Sequence, residues 1–243
     1  TKTAINVGTG RTLVPAQSEW KYSDAGPVAS NWRYRIFSDK NWKEGSAPLG
    51  YGAHFPVSTT ISYGSDANNK YPTYYFRKKF QIDEMPDHGE FVLNYTLDDG
   101  CVIYVNGVEA GRVHMPEGAV SYTTYSAASV ATTAATGSVV MDKSLFKAGE
   151  NLIAVEVHNT SATSSDILWD ASLLCVDQVQ IEAGGILSMQ EQFELPYSTD
   201  RLQLEACYEY EGDKIEKPVV INEVSAGNSV FVNEYFDKNY VLY

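Results

Sequence analysis

Basic residues are scarce in this chain. Its 243 residues carry 18 Lys and Arg against 31 Asp and Glu, for a net charge of −13. No run of Lys or Arg offsets that balance locally. A surface of this sign repels phosphate backbones and anionic lipid headgroups, which excludes nucleic acid as a partner. Cysteine is scarce as well: Cys101, Cys175 and Cys207 are too few and too scattered for a disulfide framework, and no C-x-x-C pair offers a thiolate zinc site. All three fall in strand-like runs and read as small buried apolar residues, with a single disulfide left open. No stretch approaches the ~20 apolar residues of a membrane helix, so direct membrane insertion is not expected. Helical periodicity is nearly missing, apart from one short turn expected over Asp142–Ala148 and closed by Gly149. G-x-S-x-G, H-E-x-x-H and phosphate-binding glycine loops are absent too, and a non-catalytic protein is expected.

What the chain does have is alternation. Leu97-Asp98-Asp99-Gly100-Cys101-Val102-Ile103-Tyr104-Val105-Asn106-Gly107-Val108-Glu109 alternates apolar and polar residues, breaks at Asp-Asp-Gly, alternates again and turns at Asn-Gly. Period two marks a half-buried strand, and Asn-Gly accepts the positive φ of a tight hairpin turn. Similar runs cover Tyr74–Ile82, Glu90–Leu97, Leu152–His158 and Asp166–Val176. Apolar residues at 44% and aromatics at 12% supply a substantial core, and 17 Tyr with 4 Trp leave aromatics for surface recognition. The fold class is all-β.

Between the runs lie long connections. Ser38–Gly64, rich in Gly, Pro, Ser, Trp and Tyr, reads as an ordered excursion, and Ser121–Ser138 as a strand followed by a loop. The character changes around Val176–Glu182, so residues 1–178 are expected to form one sandwich and 179–243 an all-β C-terminal segment. That segment has strand signals at Leu187–Leu195 and Arg201–Glu209, then a polar hinge at Glu211–Lys217. The run Tyr240-Val241-Leu242-Tyr243 predicts a last docked strand, or a protein that continues. The chain opens Thr1-Lys2-Thr3 without Met and is rich in Tyr, Thr, Ser and Asn. Both features suit a secreted or cell-surface product whose signal peptide has been removed.

Several segments in order carry a likeness. They are Trp20-Lys21-Tyr22-Ser23-Asp24, Asn41-Trp42-Lys43-Glu44-Gly45 through Gly52, Tyr74-Tyr75-Phe76-Arg77, the Asp98–Gly107 hairpin, His114-Met115-Pro116-Glu117-Gly118, Ala148-Gly149-Glu150-Asn151 through Asn159, and Ser164-Ser165-Asp166. Over residues 11–176 the chain resembles the galactose-binding-domain-like jelly roll, an accessory module of secreted bacterial proteins. Val220-Ile221-Asn222-Glu223-Val224-Ser225-Ala226-Gly227-Asn228 is similar to the opening strand of lamin-tail-type domains, of which residues 218–243 hold only a beginning. The pair implies a jelly-roll β-sandwich beside neighbouring domains of a larger surface protein.

Candidate contacts follow from chemistry. Sugar rings stack on aromatic planes while Asn, Asp, Arg or His read their hydroxyls. Trp42, Tyr51, His54 and Tyr71 crowd the long first loop region, and Arg112, His114, His158 and Trp169 are expected to join them; Trp42 and Tyr51 also serve to pin that loop. Asp98, Asp99, Asp166 and Asp170 are candidate ligands of a structural calcium ion, as the resemblance implies, although Asp at turns also caps its own backbone. Glu156 and His158 share a strand face, where they either join a ligand or metal cluster or anchor the next loop. Asn94-Tyr95-Thr96 and Asn159-Thr160-Ser161 match the glycosylation pattern. The expected role is a non-catalytic carbohydrate-binding or adhesion module with a glycan or cell-surface polymer as partner. Its rivals are a structural spacer, whose loop aromatics are buried, and the accessory half of a hydrolase.

Overall fold

The computed structural model describes residues 5–52, 56–86, 89–130 and 134–181, with short strands at 209–210, 220–221 and 234–235. His54, Cys207, the strand expected at Leu187–Leu195, nearly all of that at Arg201–Glu209, the hinge at Glu211–Lys217, Asn222–Asn228 and the final apolar run lie outside the described residues. The chain divides into two compact units, Thr9–Asp177 and Thr1–Gly8 with Gln178–Tyr243.

In chain order the strands are β1 (Ile5–Val14), β2 (Glu19–Ser23), β3 (Lys43–Ser46), β4 (Leu49–Tyr51), β5 (Thr59–Thr60), β6 (Thr73–Ile82), β7 (Gly89–Asp98), β8 (Gly100–Val105), β9 (Val108–Val113) and β10 (Ala135–Met141). After a 3-10 turn at Lys143–Leu145 come β11 (Gly149–His158), β12 (Ile167–Ile181), β13 (Glu209–Tyr210), β14 (Val220–Ile221) and β15 (Glu234–Tyr235). In the unit Thr9–Asp177 one sheet runs β10-β7-β12-β1, with β4 against β12 and β5 against β4; the other runs β3-β2-β6-β11-β8-β9. In the second unit β13 pairs with the start of β1 at Ile5↔Tyr210, and β14 pairs with β15 at Val220↔Tyr235.

The core of the larger unit lies between its two sheets. Phe91, Leu93, Leu97, Trp169, Ala171, Leu173 and Cys175 face inward from one; Tyr74, Phe76, Ile103, Ile153, Val155 and Val157 face inward from the other. These are the alternate positions read from the sequence, because a strand sends every second side chain to one face. The chain is an all-β sandwich.

Local chemistry sets the connections. Asp98-Asp99-Gly100 carries the chain from β7 in the first sheet to β8 in the second. Asn106 (φ 52) and Gly107 (φ 95) supply the two positive φ values that a two-residue hairpin turn needs. A Cβ on Gly107 would also fall 2.3 Å from the Tyr34 ring. Asn106 holds the turn from within, donating to Leu145 O and Asn151 Oδ1 at 2.9 Å and accepting from Leu152 N at 3.1 Å. The 3-10 turn is capped by Asp142, which accepts from Ser144 N at 2.8 Å.

One segment reverses the expected order. Ser121–Ser138 is loop first and strand second, with β10 starting at Ala135. Ser121 N donates to Thr124 Oγ1 at 3.0 Å and Thr124 N to Ser121 O at 3.0 Å, so hydroxyls compete with any ladder there and close a turn.

A second departure matters more for function. Sequence alternation leaves Leu152, Ala154, Glu156 and His158 on the outer face of β11, and all four are buried. A smaller core covers that face: Trp32, Tyr75, Val102 and Tyr104, with Val28, Phe37, Trp42, Met115, Val120 and Tyr122 packed against it. The loops before β3 and after β9 fold back as a roof. Arg77 fastens the first of them. Its side chain, 1% exposed, pairs with Asp39 at 2.9 Å and donates to the carbonyls of Trp32, Tyr34 and Phe37.

Candidate functional site

At one end of the sandwich the β7–β8 crossing meets the segment after β11. Asp99 ties the two together: Oδ1 accepts from Val130 N at 2.9 Å, and Oδ2 accepts from Thr160 N at 2.9 Å, Thr160 Oγ1 at 3.1 Å and Ser164 Oγ at 3.4 Å. His114, exposed and at φ 54, brings its Nδ1 to 2.9 Å from Asp99 O. Asp98 beside it is fully buried. Burial first, then the charge and hydrogen bond of Asp99 and the charge of Asp166, push its carboxyl up to about 8. Protonated, it hydrogen-bonds Asp99; ionised, neither of its oxygens meets a donor.

That carboxyl has a measurable signature. The folded chain keeps a proton that the unfolded chain releases near pH 4. Stability from Asp98 is therefore fully present below about pH 4, lost as pH rises toward 8 and flat above, with a slope of at most about 1.4 kcal/mol per pH unit. Asp170, raised by burial against its bond from Gln17, adds in the same direction. Urea unfolding from pH 5 to 9 in a chelator should show this fall in the native protein and a flattened profile in Asp98→Asn.

The aromatic candidates are placed differently from a sugar platform. Trp169 is 0% exposed, edge-on to Trp20 at 5.8 Å and stacked on Phe76 at 6.3 Å, so its expected ligand contact gives way to a core role. Trp42 is half-buried in the roof, flanked by Trp32 at 6.5 Å, Phe37 at 5.6 Å and the Arg77 guanidinium at 6.0 Å. Its faces are taken. Tyr51 is buried between Tyr63 at 5.4 Å and Tyr74 at 5.9 Å, and its hydroxyl accepts from Asn159 Nδ2 at 3.0 Å. Tyr71, half-buried, lies 6.4 Å from Tyr74.

The polar candidates are similarly engaged. Arg112 grips Glu109 through two bonds of 2.7 and 2.8 Å and donates to the carbonyls of Pro116 and Gly118. His158, 0% exposed, donates from Nδ1 to Thr124 O at 2.7 Å; Thr73 Oγ1 lies 3.0 Å from the same Nδ1, and Glu156 Oε2 lies 3.5 Å from Nε2. Glu156 also accepts the Tyr104 hydroxyl at 2.6 Å. These bonds anchor loops. Asp170 accepts from Gln17 N at 3.0 Å and Asp166 from Ser165 Oγ at 2.8 Å. Among the described residues no three His, Cys, Asp or Glu gather to hold a metal ion. Asn159 is fully buried, which removes its sequon from the surface.

An open cleft of about 300 Å³ lies over β2, β3 and β6, lined by Lys21, Asp39, Glu44, Arg77 and Lys79 among others. Its charges are matched: Lys21 with Glu44 at 2.5 Å, Arg77 with Asp39 at 2.9 Å and Lys79 with Glu150 at 3.4 Å. Of a further group, sequence reasoning named Tyr71 and missed Tyr63, Tyr122 and Tyr125. Tyr63 and Tyr125 are 38% exposed, and Tyr71 and Tyr122 half-buried. Tyr71 N donates to Tyr63 O, and Tyr122 lies close enough to Tyr71 and Tyr125 to feel both. The signals for this tyrosine rim were Tyr71 itself, the Tyr content of Ser38–Gly64 and the Ser, Thr and Tyr composition of the 121–126 segment.

The fold and these sites define an all-β sandwich module. No protein-family profile matches the chain, and no curated protein does. Among solved structures it is similar to a β-glucuronidase of Bacteroides uniformis, at 14% identity and a TM-score of 0.46 over 70% of this chain and 18% of that one. It is similar also to a β-glycosidase of Bacteroides vulgatus, at 15% identity and a TM-score of 0.46 over 68% of this chain and 20% of that one. A Bifidobacterium dentium β-glucuronidase complexed with coumarin-3-O-glucuronide gives 15% identity and a TM-score of 0.39 over 61% and 20%. The chain spans about a fifth of the length of these structures.

Proposed function

We propose that this chain is a non-catalytic accessory module of a larger exported, carbohydrate-active protein, acting chiefly as a rigid spacer. One observation carries the reading: all four tryptophans are spent on packing. Trp20, Trp32 and Trp169 are at most 6% exposed, and Trp42 is enclosed by Trp32, Phe37 and Arg77. Buried loop aromatics are what a spacer requires and what a tryptophan-based sugar platform forbids. Glu156 adds support, since it is buried under the roof and hydrogen-bonded to Tyr104. Glycoside hydrolysis needs two carboxyl groups flanking a bond in an accessible cleft.

The tyrosine rim favours a second reading, in which the module also touches glycan. Tyr63, Tyr71, Tyr122 and Tyr125 offer ring faces and hydroxyls without net charge. Such a shallow site yields roughly −4 to −6 kcal/mol, in the millimolar to tens-of-micromolar range. A glycan array, run beside chromogenic glycosides with purified protein, tests both. The spacer reading expects silence on the array and no turnover. Binding abolished by Tyr63→Ala with Tyr125→Ala, and untouched by Trp42→Phe, replaces it with the glycan reading; hydrolysis that survives repurification sinks both.

A further inference from the structure

The edge of a sheet carries unpaired N–H and C=O groups, and folded proteins blunt it with charge, bulges or short length. Most edges of the unit Thr9–Asp177 follow that rule. β3 has four residues and carries Lys43 and Glu44, β5 has two residues, and β1 carries Arg11. β9 carries the Glu109–Arg112 pair and a register break against β8 between Ile103 and Tyr104. β10 has none of these devices. Its seven residues, Ala-Thr-Gly-Ser-Val-Val-Met, hold no charge and no proline, and they pair with β7 without a break from Ala135↔Leu97 to Met141↔Phe91. Among the described residues no strand pairs with its other side. The inner face of β10 is closed: a Cβ on Gly137 would meet Tyr95 Oη at 2.4 Å, and one on Gly111 of β9 would meet the Val139 side chain at 2.7 Å. On the outer face Thr136, Ser138 and Val140 are exposed, Val140 at 60%, and Val140 stands in register beside Val92 and, one strand further, Leu174.

We propose that β10 is a self-association edge, at which a second copy of this chain adds its own β10 antiparallel and joins the two sheets into one. Charge selects the occupant. At a net charge of −13, copies of this chain repel one another over most of their surface, and like charges facing each other weaken a strand pair. β10 brings no charge to the joint. A basic partner would be drawn to the acidic surface, not to an uncharged strand. One antiparallel register pairs all seven residues. It sets Ser138 opposite the partner's Ser138, Ala135 opposite the partner's Met141 and Thr136 opposite the partner's Val140, and it leaves the two Asp142 side chains at opposite ends of the joint. Such a two-fold contact is self-complementary. It is also small, one strand pair with its flanking side chains, so a weak dimer follows. The proposal stands independently of the spacer and glycan readings.

Sedimentation velocity across a concentration series of the full chain tests this. A monomer of 26.9 kDa should give way to a dimer with a dissociation constant of roughly 10–100 μM, as suits an interface at the small end of specific contacts. Ser138→Lys sets two ammonium groups face to face and should weaken association about tenfold or more. Cross-linking fixes the register. In a Cys207→Ser background, Ser138→Cys should give a disulfide-linked dimer under mild oxidation. Thr136→Cys should not, because the two 136 positions lie about 14 Å apart along the joint. Should Ser138→Lys fail to fold, the contrast between the two cysteine variants decides. A chain that stays monomeric throughout overturns the proposal and leaves the edge to a strand of a different protein. So does a dimer that Ser138→Lys leaves intact, or equal cross-linking at positions 136 and 138.

Discussion

Replacing Arg77 by Ala should lower the unfolding free energy by roughly 3–5 kcal/mol, the range seen when one partner of a buried ion pair is removed. The side chain is 1% exposed, and its guanidinium does four jobs at once, pairing with Asp39 and capping the carbonyls of Trp32, Tyr34 and Phe37. Truncation leaves those acceptors facing a cavity and takes away the cation lying over the Phe37 ring at 5.2 Å. Arg77→Lys should recover little, because an ammonium cannot present five donors in a fixed fork. The readout is the urea midpoint at unchanged m-value. Near-ultraviolet circular dichroism should lose the contribution of the stacked Trp32 and Trp42 before global unfolding. A cost under about 1 kcal/mol would mean that the roof is held by its apolar contacts alone.

Arg77 also shows where sequence reading ends. In sequence it belongs to the run Tyr74-Tyr75-Phe76-Arg77, and period two assigns it to the polar, solvated face of β6. Alternation reports which residues share a face, but not whether a distant loop covers that face. The inner core was legible because Phe91, Leu93 and Leu97, or Ile153, Val155 and Val157, declare one apolar side within a single strand. The Asn106-Gly107 hairpin was legible because its backbone demand is local. The roof was not, since Trp32 meets Tyr104 at 5.8 Å across 72 positions of chain that no local pattern connects. The ligand candidates suffered for the same reason. Sequence leaves loop aromatics open between display and pinning, and in the fold Trp42 and Tyr51 are what the loops use to dock. The acidic crossing at Asp98-Asp99 was legible as a turn, while the burial that leaves Asp98 without a donor depends on segments as far off as Asp166.

Trp169 is where the two views differ most, and its substitution separates them. Trp169→Ala should cost roughly 3–5 kcal/mol, as expected for a large aromatic removed from a packed core. The indole fills the space between the sheets against Trp20 and Phe76, so its loss opens a void that β-sheet backbones cannot collapse to fill. Trp169→Phe should cost much less. It keeps most of the ring contacts and removes an indole N–H that has no hydrogen-bond partner inside the core. The same exchange at a sugar-stacking tryptophan would leave stability almost unchanged and weaken binding. Denaturant unfolding of the three proteins, with a parallel array measurement on the Phe variant, therefore distinguishes the two roles. A surface role would be indicated by near-native stability of Trp169→Ala; a large loss for Ala and a small one for Phe makes Trp169 the centre of the sandwich core.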